Sequence, residues 1–217
     1  MIVVFDIGGV IFDDIWENLF LDPENGLRTK FNLDFKRVNS VCRNEWDSFA
    51  IKNSINNRWV DVEYEYWTNI THRLAIDWPV ENCIEYSKKF INKKPGVSEI
   101  IELLTESGIN IGICSNQTAF WFNRQLNVSS ALSLIDRKNM ALSFERGVPK
   151  GENNNQLFRH LLSSFKCSAS DIIYIEDRIK YQNIAKEFGF NLIPVEEDDN
   201  EISINIINRL KQFGISL

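Results

Sequence analysis

Five short, largely apolar runs, set among helix-type segments, constrain the fold of this chain more than any other feature. They are Ile2 to Phe5, Asn110 to Cys114, Met140 to Ser143, Ile172 to Ile175 and Asn191 to Val195. A strand wetted on one face alternates apolar and polar residues, whereas a strand covered on both faces is apolar throughout. The flanking segments follow the helical period instead. Val97, Ile100, Ile101 and Leu104 share one face of a helix closed by Gly108, and a helix around Tyr181 to Phe188 ends at Gly189. A last helix carries Ile206, Leu210 and Phe213, with Gly214 as its cap. This alternation predicts an α/β fold in which a parallel sheet is covered by helices on both faces.

Residues 15 to 92 interrupt the pattern. They contain no convincing strand, only helix-period segments rich in aromatics such as Trp16, Trp46, Trp59 and Trp67. The expected division is therefore an α/β core, residues 1–14 plus 93–217, split after its first strand by a helical insertion, residues 15–92. Pro95-Gly96 marks the return to the core. With 217 residues, 44% of them apolar, the chain can bury a sizeable core as one domain with an insertion. A net charge of -6 gives no general attraction to nucleic acid or anionic lipid. No apolar run approaches membrane-spanning length. The four cysteines have no metal-type spacing, and the expectation is reduced thiols in a cytoplasmic protein.

In open parallel sheets, ligands bind beyond the carboxyl ends of the strands. Asp6-Ile7-Gly8-Gly9 follows the first strand, Ser115-Asn116 the second, Gly147-Val148-Pro149-Lys150 the third and Glu176-Asp177 the fourth. One edge thus gathers three carboxylates, a hydroxyl, an amide and a lysine. Carboxylates suit a hard divalent cation, and one of them can act as a nucleophile. A hydroxyl and a lysine can hold the charged oxygens of a transferring group. Taken singly, each is ordinary turn, cap or surface chemistry; it is their joint placement at strand ends that points to phosphoryl transfer.

These segments resemble the four motifs of the haloacid dehalogenase (HAD) superfamily. VVFDIGGVIF is similar to its first motif, ICSN to its second, GVPK to its third and IIYIEDRIKYQNIAKEFG to its fourth. The insertion lies where that family places its helical, C1-type cap. The resemblance implies a Rossmann-like sheet in strand order 3-2-1-4-5. It implies that Asp6 attacks phosphorus and that Mg²⁺ sits on Asp6, the Gly8 carbonyl and Asp177. Glu176 would act beside the metal, through water or by orienting a ligand. Lys150 would neutralise the nucleophile and phosphate, and Ser115 and Asn116 would bind the phosphate of a small substrate.

Three positions depart from the family's phosphatase pattern. Gly8 stands where the general acid/base aspartate is usual, an effect worth roughly 10²- to 10⁴-fold. Lys150 is followed by Gly151 where many relatives have proline, and the run Glu152 to Asn155 is one residue longer. Glu176 stands where an aspartate is usual. The expectation is a phosphatase that favours leaving groups departing without a proton, such as sugar 1-phosphates and acyl phosphates. Two other readings stay open: a metal-independent halide-displacing hydrolase, and a non-catalytic HAD-like module for ligand sensing or partner binding. Trp16 and Trp46 are candidates for a view of the pocket, Trp121, Phe122 and Arg124 for its mouth or for helix packing. Asp13 or Asp14 could replace the missing acid, or simply start a helix. His72 and His160 belong to no triad or metal pattern.

Overall fold

The computed structural model describes residues 1–52, 59–196 and 199–217. The first strand, β1 (Ile2–Phe5), leads into α1 (Ile15–Leu21), α2 (Leu27–Lys30), α3 (Phe35–Ala50), α4 (Trp59–Leu74) and α5 (Val80–Ser87). Strands and helices then alternate: α6 (Val97–Glu106), β2 (Asn110–Ser115), α7 (Ala119–Val128), α8 (Ser130–Ser133), β3 (Met140–Leu142), α9 (Ser143–Arg146) and α10 (Gln156–Phe165). Last come β4 (Ile172–Glu176), α11 (Ile179–Phe188), β5 (Asn191–Pro194) and α12 (Ile202–Gln212). Of the acidic run at 196 to 199, Glu197 and Asp198 lie outside the described residues.

The strands form one parallel sheet in the order β3-β2-β1-β4-β5, as the resemblance implied. β1 lies at its centre, and all four of its residues are buried. The pleat sends Val3 and Phe5 to one face, against Val97, Ile101 and Leu104 of α6 and Ile206 and Leu210 of α12. Ile2 and Val4 go to the other face, with Leu157, Phe158 and Leu161 of α10 and Ala185 of α11. Two covered faces account for the apolar runs of the inner strands β1 and β4, which are buried throughout, while β5 at the edge is only partly buried.

A third apolar cluster lies among the helices between β1 and α6, built from Leu19, Phe20, Val38, Tyr66, Trp67 and Ile70. The aromatics there are mostly core. Tyr66 meets Phe49 and Trp67 edge-on, with ring centroids 5.3 and 5.4 Å apart. Phe120 and Trp121 of α7 belong to the same cluster, so the packing crosses the expected boundary at residue 93. Phe122, one residue on, turns instead to the sheet cluster.

Candidate active site

Register decides which residues meet at the sheet's carboxyl edge. Phe5 pairs with Ile113 on one side and Ile175 on the other. The next residue, Asp6, is therefore level with Cys114 and Glu176, and one step further brings Ser115 and Asp177 alongside. Asp6 still donates its backbone N–H to the Ile175 carbonyl (3.0 Å), so its side chain is aimed by the ladder rather than by a free loop. Lys150 arrives from the connection between α9 and α10. That connection runs through Asn153, Asn154 and Asn155, all at positive φ (47°, 56° and 56°). Asparagine tolerates this left-handed geometry better than other side chains, which accommodates the long loop.

Lys150 is buried with its ammonium among three oxygens: Asp6 Oδ2 at 2.5 Å, Glu176 Oε2 at 2.6 Å and the Tyr174 hydroxyl at 3.1 Å. All three ammonium hydrogens thus have an acceptor. Burial alone would push this lysine down, but the charges of Asp6 and Glu176 outweigh it and hold the ammonium well above its usual range. Tyr174 also donates to Glu176 Oε2 (2.6 Å), and Glu176 Oε1 accepts from the Arg178 backbone N–H (3.0 Å). Both Glu176 oxygens are engaged, beneath the floor of the site. Asp6 Oδ1 accepts from the Ile7 backbone N–H at 2.7 Å. Burial first, then the Glu176 charge, raises the Asp6 carboxyl to about 7, against the opposing pull of Lys150 and Ser115.

Asp177 is different. Its side chain is buried, Oδ2 pairs with Arg178 at 3.1 Å, and Oδ1 has no hydrogen-bond partner. Burial, followed by the charge of Asp6, raises its carboxyl to about 6. A buried carboxylate oxygen without a donor is a liability of about 1–3 kcal/mol or more unless a ligand meets it. One oxygen each from Asp6, Glu176 and Asp177 lie within 4.8 Å of one another, a spacing that suits a hard divalent cation. Gly9 makes room for this arrangement. A Cβ there would stand 2.3 Å from Asp177 Oδ2, and its φ of +73° is one that L side chains rarely adopt. At Gly8, by contrast, a Cβ would meet nothing within 4 Å.

A cavity of about 560 Å³ opens over this edge, lined by Asp6, Gly8, Ser115, Asn116, Lys150 and Asp177 from the sheet side and by α1 and α3 opposite. Trp16 and Trp46 both line it. Trp121, Phe122 and Arg124 do not. The first two are buried in the apolar clusters, and Arg124 forms a bidentate pair with Glu63 of α4 (2.8 and 2.5 Å). Asn116 accepts from the Lys150 backbone N–H (2.8 Å) and donates to the Tyr181 hydroxyl (2.7 Å), which joins two loops of the site. Asp14 caps α1 through the Glu17 N–H (3.1 Å) and pairs with Arg178, while Asp13 pairs with Lys94 (3.0 Å). His160 stands beside Arg146 at 2.9 Å. Three residues of the site escaped the sequence reading: Tyr174, Arg178 and Tyr181. Only Tyr174 left a signal there, a polar-tipped side chain in an aliphatic strand, two residues from Glu176 and so on the same face.

The model of the haloacid dehalogenase-like hydrolase family matches residues 37–195, well over half of the chain. No curated protein matches by sequence. Among solved structures, a HAD family enzyme from Bacteroides thetaiotaomicron superposes with a TM-score of 0.64 at 12% identity, over 91% of this chain and 94% of that one. The same enzyme in complex with magnesium and inorganic phosphate gives 0.58 at 13% identity, over the same shares. A HAD phosphatase from Thermococcus onnurineus gives 0.57 at 17% identity, over 91% and 86%. A dehalogenase gives 0.59 at 14% identity, over 89% and 84%. At such identities the likeness is one of fold, and the family model adds the lineage: the chain belongs to the haloacid dehalogenase-like hydrolases.

Proposed function

We propose that this protein is a Mg²⁺-dependent phosphatase that cleaves a small phosphorylated metabolite through an aspartyl-phosphate on Asp6. The observation that carries the reading is the Asp177 Oδ1 atom, buried and without a donor beside the Asp6 carboxylate. A halide-displacing site needs no cation, whereas a metal ion would meet this bare oxygen. A solved relative of the same fold is complexed with magnesium and inorganic phosphate, as this reading requires.

Asp6, the Gly8 carbonyl and Asp177 would hold the ion, whose charge offsets that of the phosphoryl oxygens. A carboxylate oxygen of Asp6 forms the bond to phosphorus while the bond to the leaving oxygen breaks and its electron pair departs with the leaving group. Water then cleaves the acyl phosphate, releasing phosphate and restoring Asp6. Lys150, held by Asp6, Glu176 and Tyr174, favours the ionised form of the nucleophile and holds it in place. Glu176 serves as counter-ion to Lys150. Ser115 and Asn116 line the cavity beside the nucleophile and bind the phosphate. Residues 15–92 act as a C1-type cap, presenting Trp16 and Trp46 to the substrate.

Gly8 supplies no acid to the leaving oxygen. Acyl phosphates and anomeric sugar phosphates should therefore turn over faster than primary alkyl phosphates. Phosphate release from such a panel, measured with Mg²⁺, with EDTA and with Asp6→Asn, tests the reading. Faster release from alkyl phosphates would contradict the leaving-group argument, and release that persists in EDTA would contradict the metal. A folded protein that binds Mg²⁺ yet releases nothing would favour a sensing module built on the same scaffold.

A further inference from the structure

We propose that Arg178 is a positioning residue that fixes the Asp177 carboxylate for a divalent cation and ties it to the first helix of the insertion. The inference rests on the magnesium reading above. Its observations are separate: one guanidinium faces three carboxylates. Nε lies 3.1 Å from Asp177 Oδ2, Nη1 2.9 Å from Glu17 Oε1 and Nη2 2.5 Å from Asp14 Oδ2. Asp14 and Glu17 stand at the start of α1, and Asp177 stands at the end of β4. The planar fork of arginine spreads its donors over three carboxylates in a fixed geometry, whereas a lysine offers a single point charge.

The consequence for Asp177 follows from its surroundings. The terminal torsion of an aspartate is broad and needs an external brace. Gly9 leaves the carboxylate space on one side, and Arg178 holds Oδ2. Oδ1 is thereby left without a donor, in the cluster with Asp6. Outer partners of metal-ligating carboxylates commonly contribute about 10- to 100-fold in metal affinity. A guanidinium also repels a cation. Here Asp14 and Glu17 neutralise that charge, so the orienting effect outweighs the repulsion. Metal affinity thus depends on how α1 is seated, through Glu17.

Calorimetric titration of substrate-free protein with MgCl₂ tests this without recourse to activity. Arg178→Ala should weaken Mg²⁺ binding about 10- to 100-fold. Arg178→Lys keeps the charge but not the fork and should recover only part of the loss. Glu17→Gln should weaken binding in the wild-type background and have no effect beside Arg178→Ala, because its influence passes through the guanidinium. Unchanged or tighter binding by Arg178→Ala would overturn the inference. So would an equal effect of Glu17→Gln in both backgrounds, which is the signature of a charge acting directly. Should the Arg178 variants fail to fold, Glu17→Gln alone decides, since unchanged binding there also overturns it. If the wild type itself binds no Mg²⁺, the magnesium reading falls first and this one with it.

Discussion

Buried charge is handled in two ways in this molecule. In the helical region, Glu63 of α4 is matched by Arg124 of α7, with both carboxylate oxygens engaged by one guanidinium. Glu45 of α3 is matched by Arg73 on one oxygen and the Asn69 amide on the other (3.0 Å). In these two cases cation and carboxylate are paired one to one, and neither glutamate has an oxygen left over. At the carboxyl edge of the sheet, among the described residues, Asp6, Glu176, Asp177, Asp14 and Glu17 share ion pairs with Lys150 and Arg178, and Asp177 Oδ1 has no donor. Balanced pairs hold helices together. An unbalanced cluster is what the proposed cation would complete. The difference separates structural ion pairs from a functional site without reference to any relative.

If that distinction is right, neutralising the two regions must have opposite effects. Asp6→Asn should abolish phosphate release, by on the order of 10⁴-fold or more. It should leave the melting temperature unchanged or higher, since it relieves an excess of negative charge; a large loss of stability would erase the comparison. Gly8→Asp has open space for its Cβ. It should raise turnover of alkyl phosphates by roughly 10²- to 10⁴-fold, with little effect on acyl phosphates. In the helical region, Arg124→Ala strands Glu63, whose side chain is 1% exposed. Urea unfolding should show a loss of about 3–5 kcal/mol, while activity per folded molecule is kept.

The smallest effect concerns pH. Burial raises Asp6 to about 7 and Asp177 to about 6 in the metal-free protein, above the ordinary aspartate value of 3.8. The folded state then keeps protons that the unfolded state has released. Stability in EDTA should therefore be greatest in mild acid, fall as pH rises from about 4 toward 7, and level off above. Mg²⁺ should raise the melting temperature more at pH 8 than at pH 5, because protons and cation compete for the same carboxylates. An equal Mg²⁺ effect at both would remove the metal from this cluster.

Much of this was legible in the sequence because burial on both faces leaves an unambiguous signature. β1 has the expected limits, and β4 reaches one residue past its apolar run, to Glu176. β3 stops at Leu142 because Ser143 leaves the ladder, its hydroxyl bonding the Ala50 carbonyl (2.6 Å) and the Gln117 N–H (2.9 Å). The gathering of Asp6, Ser115, Glu176 and Asp177 follows from strand ends, whereas Lys150 reaches them from beyond α9. Arg178 was not legible as a bridge, since its partners Asp14 and Glu17 lie 164 and 161 residues away along the chain. The aromatic insertion announced burial but not its partners. That Trp121 would join it while Phe122 turned to the sheet depends on the angle at which α7 sits between the two layers.

The central claim is a covalent phosphoryl group on Asp6. The direct measurement is an acid quench of the protein with isotopically labelled acetyl phosphate and Mg²⁺, followed by mass spectrometry of the peptides. A labelled phosphoryl group on the peptide containing Asp6, absent in EDTA and in Asp6→Asn, is the expected result. Phosphate release without any label on that peptide, or with label retained in Asp6→Asn, would contradict it.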